Sequence, residues 1–408
     1  MHFRTKIKPW RHDRKPRRYR HWWVFAIIIF MILGGGLMLL ETSPALVAKF
    51  ADNVLRPVIG NRATIALESV TLAASDRLKQ IAYGTIAKPN GNIYNSEPSN
   101  GTSAPAKVNA NASAAALTAA QAIKLSSLNS FQTTFPKLPG EGQWNLVPLT
   151  QFAGQPLMAR TFVRPDPARS FAIVALIQMN MHTMHLHAVA GTEHPGAILG
   201  HPGSGVIPAA VVAHNQLVAA FNGGFQYKDG QYGMVVTPTT YVPLKASLGT
   251  LTLFQDGSLT INRYDPTTTS TKKIEAVRQN GPLILDKGKV TSDAISGGYA
   301  VWGRTTTNSI YTWRSGVGLT SNGNLIYAVG PSLTAQTLAA ALRSGGAVQA
   351  IQLDINAFWV RYVTFTPLAP GSYSHESILN TLQDGGNSYL HGYNKDFFYL
   401  TMNPASSK

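Results

Sequence analysis

The sequence predicts an α+β protein: a β-rich mixed-sheet domain with few helices, preceded by a single transmembrane helix and a linker. Three observations carry that prediction. From about residue 145, short apolar runs recur between Gly-containing turns. Only one segment there, Thr334–Arg343 (TAQTLAAALR), has clear helical spacing, and Gly345-Gly346 stops it. At the other end of the chain, one uninterrupted apolar run follows a block of basic residues.

The chain has 408 residues, of which 44% are hydrophobic and 13% charged, so it can bury a core. It contains no cysteine, which excludes a disulfide scaffold, cysteine-ligated zinc, iron–sulfur clusters and thiol catalysis. The net charge of +16 is unevenly spread. Residues 1–21 hold nine Lys and Arg against Asp13 alone, which is +8, half of the total. The next 19 residues, Trp22–Leu40, are uncharged and long enough to span a bilayer as a helix. The basic block then reads as a cytoplasmic tail under the positive-inside rule, rather than as a nucleic-acid contact. A poor cleavage site at Ser43-Pro44-Ala45 favours an uncleaved anchor over a signal peptide. The expected location is the cell membrane, single-pass, with the main domain extracellular.

Residues 41–84 read as a helical juxtamembrane segment. Residues 85–144 form a low-complexity linker, rich in Gly, Pro, Ser, Asn and Ala over its first part. The domain occupies 145–408. Within it Phe171–Met179 and Met184–Ala190 read as paired strands, and Leu217–Phe221 runs into Asn222-Gly223-Gly224-Phe225. Gly249–Tyr264 is a hairpin turning at Asp256-Gly257, and Gly316–Val329 a second turning at Asn322-Gly323. The helix is followed by a strand over Ala347–Leu353 with Asp354 at its end, and Phe397–Thr401 is the last strand.

Eleven carboxylates lie between 171 and 408. Asp229, Asp256 and Asp286 fall in Gly-containing turns, where Asp is common for local backbone reasons. Asp265 precedes a proline at a hairpin exit, while Glu275, Asp293 and Asp396 read as surface. Glu193, Asp354, Glu376 and Asp384 remain. Asp354 stands out, because a carboxylate at the end of a buried strand costs free energy unless it is paired; the bland alternative is a turn cap. Arg314 is the natural partner, with a planar fork that suits phosphate and small residues after it that leave backbone accessible. It reads equally as a surface arginine. The Asn222–Gly224 turn could bring backbone N–H groups to a ligand, or be a plain hairpin turn. His182, His185 and His187 form a cluster with His185 and His187 on one face, but no nearby acid completes a metal site. No GxSxG, Walker A, GxGxxG or HExxH motif is present.

The ordered segments AAFNGGF (219–225), YGMVV (232–236), VRQNGPLILDKGKV (277–290), RSGVGLTSNGNLIYAVG (314–330), LTAQTLAAALRSGGAVQAIQLDIN (333–356) and DFFYLT (396–401) resemble the phosphodiester glycosidase family. That is the group of the lysosomal uncovering enzyme, here in a divergent bacterial branch. The resemblance covers about 170–403. Two departures stand out. Gln226 replaces the family's second Phe, and Ile355-Asn356-Ala357-Phe358-Trp359 replaces its glycine-rich tail after Leu353-Asp354. A DGGNS string at Asp384–Ser388 stands too far after the helix to take that place.

The resemblance implies hydrolysis of glycosyl-1-phosphodiester bonds in surface or exopolymer glycans. It implies Asp354, Arg314 and Glu193 as catalytic candidates, with Glu376 the other choice for a second carboxylate. Asn222, Gly223, Gly224 and Asn356 are the substrate-binding candidates. A divalent metal is compatible with the sequence and not required by it. The expected partners are a surface glycan or sugar-phosphate polymer and, through residues 22–40, the membrane; no nucleic acid is expected. The alternatives are a non-catalytic binder of anionic glycan and a structural envelope protein. Asp354 beside Arg314 should have a depressed pKa, and a general acid should then be a different carboxyl.

Overall fold

The structure is a computed structural model and describes residues 76–83, 89, 91–95, 135–149, 152, 156–303, 311–382 and 384–403. The strands in chain order begin with β1 (Asn145–Leu146), β2 (Met158–Val163), β3 (Val174–Met179), β4 (Met184–Val189), β5 (Leu217–Asn222) and β6 (Met234–Val236). There follow β7 (Thr239–Val242), β8 (Gly249–Phe254), β9 (Leu259–Arg263), β10 (Ile274–Asn280), β11 (Leu283–Asp286) and β12 (Lys289–Val290). The last six are β13 (Thr312–Thr320), β14 (Leu325–Leu333), β15 (Ala347–Ile355), β16 (Tyr362–Ala369), β17 (Ser372–Ser377) and β18 (Phe397–Met402). They form three sheets: an eight-stranded sheet in the order β1-β2-β3-β14-β13-β15-β11-β12, and two five-stranded sheets, β7-β6-β10-β8-β9 and β17-β16-β5-β18-β4. The β-rich α+β reading therefore holds.

Period-two alternation explains why the large sheet is buried on both sides. Along β14, Leu325, Tyr327 and Val329 enter the core shared with the five-stranded sheets, while Ile326 and Ala328 face the other way. That other face is covered by the helix Ala335–Ser344, through Leu338, Ala339, Ala341 and Leu342. Thr334 caps this helix by accepting from the Thr337 N–H, and the Thr337 side chain returns the bond to the Thr334 backbone. Gly316 and Gly318 let the helix and β15 approach. A Cβ on Gly316 would stand 3.1 Å from Leu338 and 2.8 Å from the Ile351 carbonyl, and one on Gly318 would stand 3.4 Å from Leu342 and 2.6 Å from the Ala347 Cβ of β15. The small residues after Arg314 thus make room for helix packing. They do not expose backbone to a ligand.

Both predicted hairpins form: β8 pairs with β9 and β13 with β14, each antiparallel. The predicted pairing of the strands around Phe171–Met179 and Met184–Ala190 does not. β3 lies between β2 and β14 in the large sheet, whereas β4 is the edge strand beside β18. Asp354 lies inside β15, which runs on to Ile355.

The basic tail and the apolar run 22–40 lie outside the described residues, as does most of 41–84, of which 76–83 are helical. Among the described residues no helix is long and apolar enough to cross a membrane. Most of the 85–144 segment also lies outside them.

Candidate active site

Asn222 ends β5 as a buried hub. Its backbone N–H donates to the Arg361 carbonyl, and its side-chain oxygen accepts from the Tyr327 hydroxyl at 2.7 Å and the Arg361 N–H at 3.0 Å. Its amide nitrogen donates to Ser315 Oγ and to the Gly223 carbonyl. The two glycines that follow are required by close approach. A Cβ on Gly223 would fall 1.9 Å from Asp396 Oδ2, and one on Gly224 would meet the Arg278 guanidinium and Asn280 Oδ1 at 2.9 Å. Both N–H groups are already engaged. Gly223 donates to the Asp396 carbonyl at 2.9 Å and Gly224 to Asp396 Oδ2 at 3.0 Å. The turn therefore grips Asp396 with the amides that the sequence reading reserved for substrate.

Asp396 is buried, not at the surface as its polar neighbourhood suggested. It faces Arg278 in a two-point ion pair, with Nε to Oδ2 at 2.8 Å and Nη2 to Oδ1 at 3.1 Å. Arg278 also donates to the Phe225 and Gln279 carbonyls. Asn280 Oδ1 accepts from the Phe225 N–H, and its amide donates to the carbonyls of Gln352 and Leu353. That bond set ties the end of β5 to β15 one residue before Asp354.

Asp354 is buried, and its partner is Lys395. Lys395 Nζ donates to Asp354 Oδ2, while Oδ1 accepts from the Ile355 N–H at 2.9 Å. The Lys395 ammonium also lies 4.5 Å from the centre of the Trp359 ring. Burial pushes the Asp354 carboxyl up to about 6, against the opposing pull of Lys395. The expected depression is thus reversed: the desolvation of a carboxylate inside β15 outweighs the adjacent cation. His194 and Asp229 lie within electrostatic reach of Lys395. Burial, helped by Lys395, pushes the His194 imidazole down, and surrounding protein pushes the Asp229 carboxyl up. Tyr393 is raised to about 12 by burial and lies in the combined field of Arg361, Asp354 and Asp396.

Arg314 is not the partner of Asp354. Its guanidinium is buried and donates to the carbonyls of Leu333 and Trp302 and to Gln352 Oε1, at 2.7 to 2.8 Å. Burial lowers it to about 10. These bonds join β13 to β14 and to the Gly298–Trp302 helix, so Arg314 braces the backbone near the site. Only its neighbour Ser315 reaches Asp354, through a hydrogen bond to the Asp354 carbonyl at 3.0 Å. Glu193 stands at the rim, its side chain 65% exposed and 4.0 Å from His194. Glu376 is exposed on β17, next to Arg160. Asn356 adopts a positive φ of 82°, and its side chain accepts from the Phe358 N–H, shaping the turn after β15. The structure brings Asn222, Gly223, Gly224 and Asp354 into one connected network. It leaves Glu193 at the edge and turns Arg314 to bracing.

Residues 215–354 match the family model of phosphodiester glycosidases. The match covers 140 of the 408 residues, and over that part the chain is similar to the family. No curated protein matches the chain. Among solved structures it is similar to the catalytic domain of zebrafish N-acetylglucosamine-1-phosphodiester alpha-N-acetylglucosaminidase, auto-inhibited by its pro-peptide. That likeness is 12% identity over 62% of this chain and 87% of the other, with a TM-score of 0.38. A hypothetical protein from Synechocystis is also 12% identical, over 62% of this chain and 63% of its own, with a TM-score of 0.34.

The match to the phosphodiester glycosidase model stops at Asp354, so Lys395 and Asp396 enter from β18's approach, beyond it. The sequence carries one trace of them, the DFFYLT segment, in which Asp396 is the first residue. Arg278 was equally present in VRQNGPLILDKGKV without being singled out. His194 and Asp229 carried no signal beyond their loops. The displaced DGGNS string also rejoins the neighbourhood. A Cβ on Gly385 would stand 2.5 Å from the Arg361 guanidinium, and that guanidinium lies 4.9 Å from the Tyr393 ring centre.

Proposed function

We propose that the chain hydrolyses glycosyl-1-phosphodiesters, with Asp354 and Lys395 at the reacting centre. The observation that carries this reading is the buried Lys395–Asp354 pair, whose carboxyl is poised at about 6. A phosphomonoester leaves as a stabilised anion, so cleavage of the C1–O bond needs charge neutralisation more than protonation. Lys395 supplies the positive charge. Asp354, mostly ionised at neutral pH, takes the proton of the attacking water, for which a pKa near the working pH is suited. The water oxygen bonds to C1, the C1–O bond breaks, and its electron pair departs on the phosphate oxygen beside Lys395. His194, held toward its neutral form, orients the water. The Asp229 carboxyl, raised by its surroundings, is the second carboxyl in place of Glu193 or Glu376.

The test is turnover of a panel of sugar-1-phosphodiesters, read as released sugar and phosphomonoester. Asp354→Asn and Lys395→Met should each reduce kcat by at least about 100-fold, the range of a lost proton-transfer group. Wild-type rates in both variants would overturn the assignment. Binding of anionic glycan without any turnover would favour the binder reading.

We propose also that residues 22–40 anchor the protein, with residues beyond about 85 outside the cell and a surface glycan or sugar-phosphate polymer as substrate. The basic residues of 1–21 and the uncharged run behind them support that topology. Protease added to intact cells should cut after about residue 85 and spare the N-terminus; the reverse pattern would overturn it.

A further inference from the structure

The HTMHLH segment contributes to a second place of converging donors, built from residues other than the Lys395–Asp354 pair. β4 is the edge strand of its sheet, and His185 and His187 project from one face of it. Their rings stack, with centroids 4.3 Å apart. From the other five-stranded sheet, β10 delivers Glu275, whose Oε1 lies 2.7 Å from His187 Nδ1 and whose Oε2 lies 2.9 Å from His185 Nε2. One ligand atom from each residue falls within 4.8 Å of the others. Donors bound at 2.0–2.2 Å to one tetrahedral ion lie about 3.3–3.5 Å apart, so small adjustments would seat a metal.

Two details bear on how the site could take a cation. His187 Nε2 lies 2.9 Å from Thr401 Oγ1. When Nε2–H donates to that hydroxyl, Nδ1 is left as a lone pair able to ligate an ion; when the hydroxyl donates instead, Nδ1–H bonds to Glu275. The first arrangement is how an outer hydrogen bond fixes the tautomer of a ligating histidine. In addition, His185 Nε2 is buried and makes no hydrogen bond among the described residues, although it is 2.9 Å from the carboxylate. Its alignment with that oxygen is therefore poor for a hydrogen bond, which leaves the nitrogen available to an ion.

We propose that His185, His187 and Glu275 bind a divalent transition-metal ion of the zinc class at the seam between the two five-stranded sheets. The three side chains are 19–23% exposed, so solvent can complete the coordination. His182, the third histidine of the motif, takes no part, because its Nε2 lies 2.9 Å from the Asn322 carbonyl.

The test uses the full chain, stripped with a chelator and titrated with Co²⁺ alone as a spectroscopic probe. The expected result is one equivalent bound, visible d–d absorption of a low-coordinate ion, and displacement by Zn²⁺. His187→Ala and Glu275→Gln should each weaken binding at least tenfold, whereas His182→Ala and Asp354→Asn should not. If His187→Ala does not fold, His185→Gln replaces it. Thr401→Val, which keeps all three ligands, should weaken Co²⁺ about 10- to 100-fold. The absence of saturable Co²⁺ absorption would overturn the proposal. So would binding that survives unchanged in Glu275→Gln and His187→Ala.

Discussion

Lys395 and Asp396 are sequence neighbours, both are buried, and each completes an ion pair; yet the two pairs are built for different ends. The Asp396 carboxylate accepts two bonds from Arg278 and one from the Gly224 N–H, and Arg278 donates two further bonds to carbonyls. The Asp354 carboxylate has one backbone N–H besides Lys395, whose ammonium otherwise faces the flat of Trp359. A saturated pair has no alternative state of low energy. A sparsely supported pair in the same low dielectric can exchange a proton or accept a third charge; burial raises the Asp354 carboxyl to about 6 against the pull of Lys395. Burial alone does not distinguish the two pairs; the number of bonds around each carboxylate does.

The comparison breaks if the two pairs respond alike to substitution. The largest expected effect is on the saturated pair. Arg278→Ala or Asp396→Ala leaves one buried charge uncompensated and should cost about 3–5 kcal/mol in urea unfolding. The second is on the sparse pair. Asp354→Asn should remove turnover at least about 100-fold while the chain stays folded, since the amide keeps a carbonyl oxygen for the Ile355 N–H and the buried Lys395, unlike an arginine, can shed its proton when its partner is gone. A collapse of stability in Asp354→Asn equal to that in Asp396→Ala would erase the distinction. A smaller effect lies away from both pairs: Gly316→Ala pushes a methyl group against the Ile351 carbonyl and Leu338, and should cost about 1–3 kcal/mol.

What the sequence disclosed follows the same division. The β8–β9 and β13–β14 hairpins were legible because Asp256-Gly257 and Asn322-Gly323 specify their turns locally. The helix Ala335–Ser344 was legible from its spacing and its Gly-Gly stop. Asp354 was legible because a carboxylate closing an apolar run demands a partner. The partner itself was not. Lys395 is 41 residues away and Arg278 is 118 residues from Asp396, and neither distance leaves a local pattern. Arg314 attracted the assignment because its small neighbours looked like an open site, whereas Gly316 and Gly318 admit the helix. The β3–β4 pairing failed for a related reason. Each strand pairs instead with one far along the chain, β3 with β14 and β4 with β18, and that long-range choice leaves no local pattern.

The smallest effect sharpens the comparison through pH. Burial raises Asp354 from the ordinary carboxylate value to about 6, so the folded chain holds that proton more tightly than the unfolded chain does. An acid with a raised folded pKa contributes stability below its unfolded value, near pH 4, and loses that contribution as pH rises through about 6. The Asp354 contribution should therefore make stability fall between about pH 4 and 6, and Asp354→Asn should abolish that component. Urea midpoints across this range, for wild type and Asp354→Asn, measure that component. If Asp354→Asn left the slope between pH 4 and 6 untouched, the Asp354 carboxyl would not titrate in that range and its role as the base would fall.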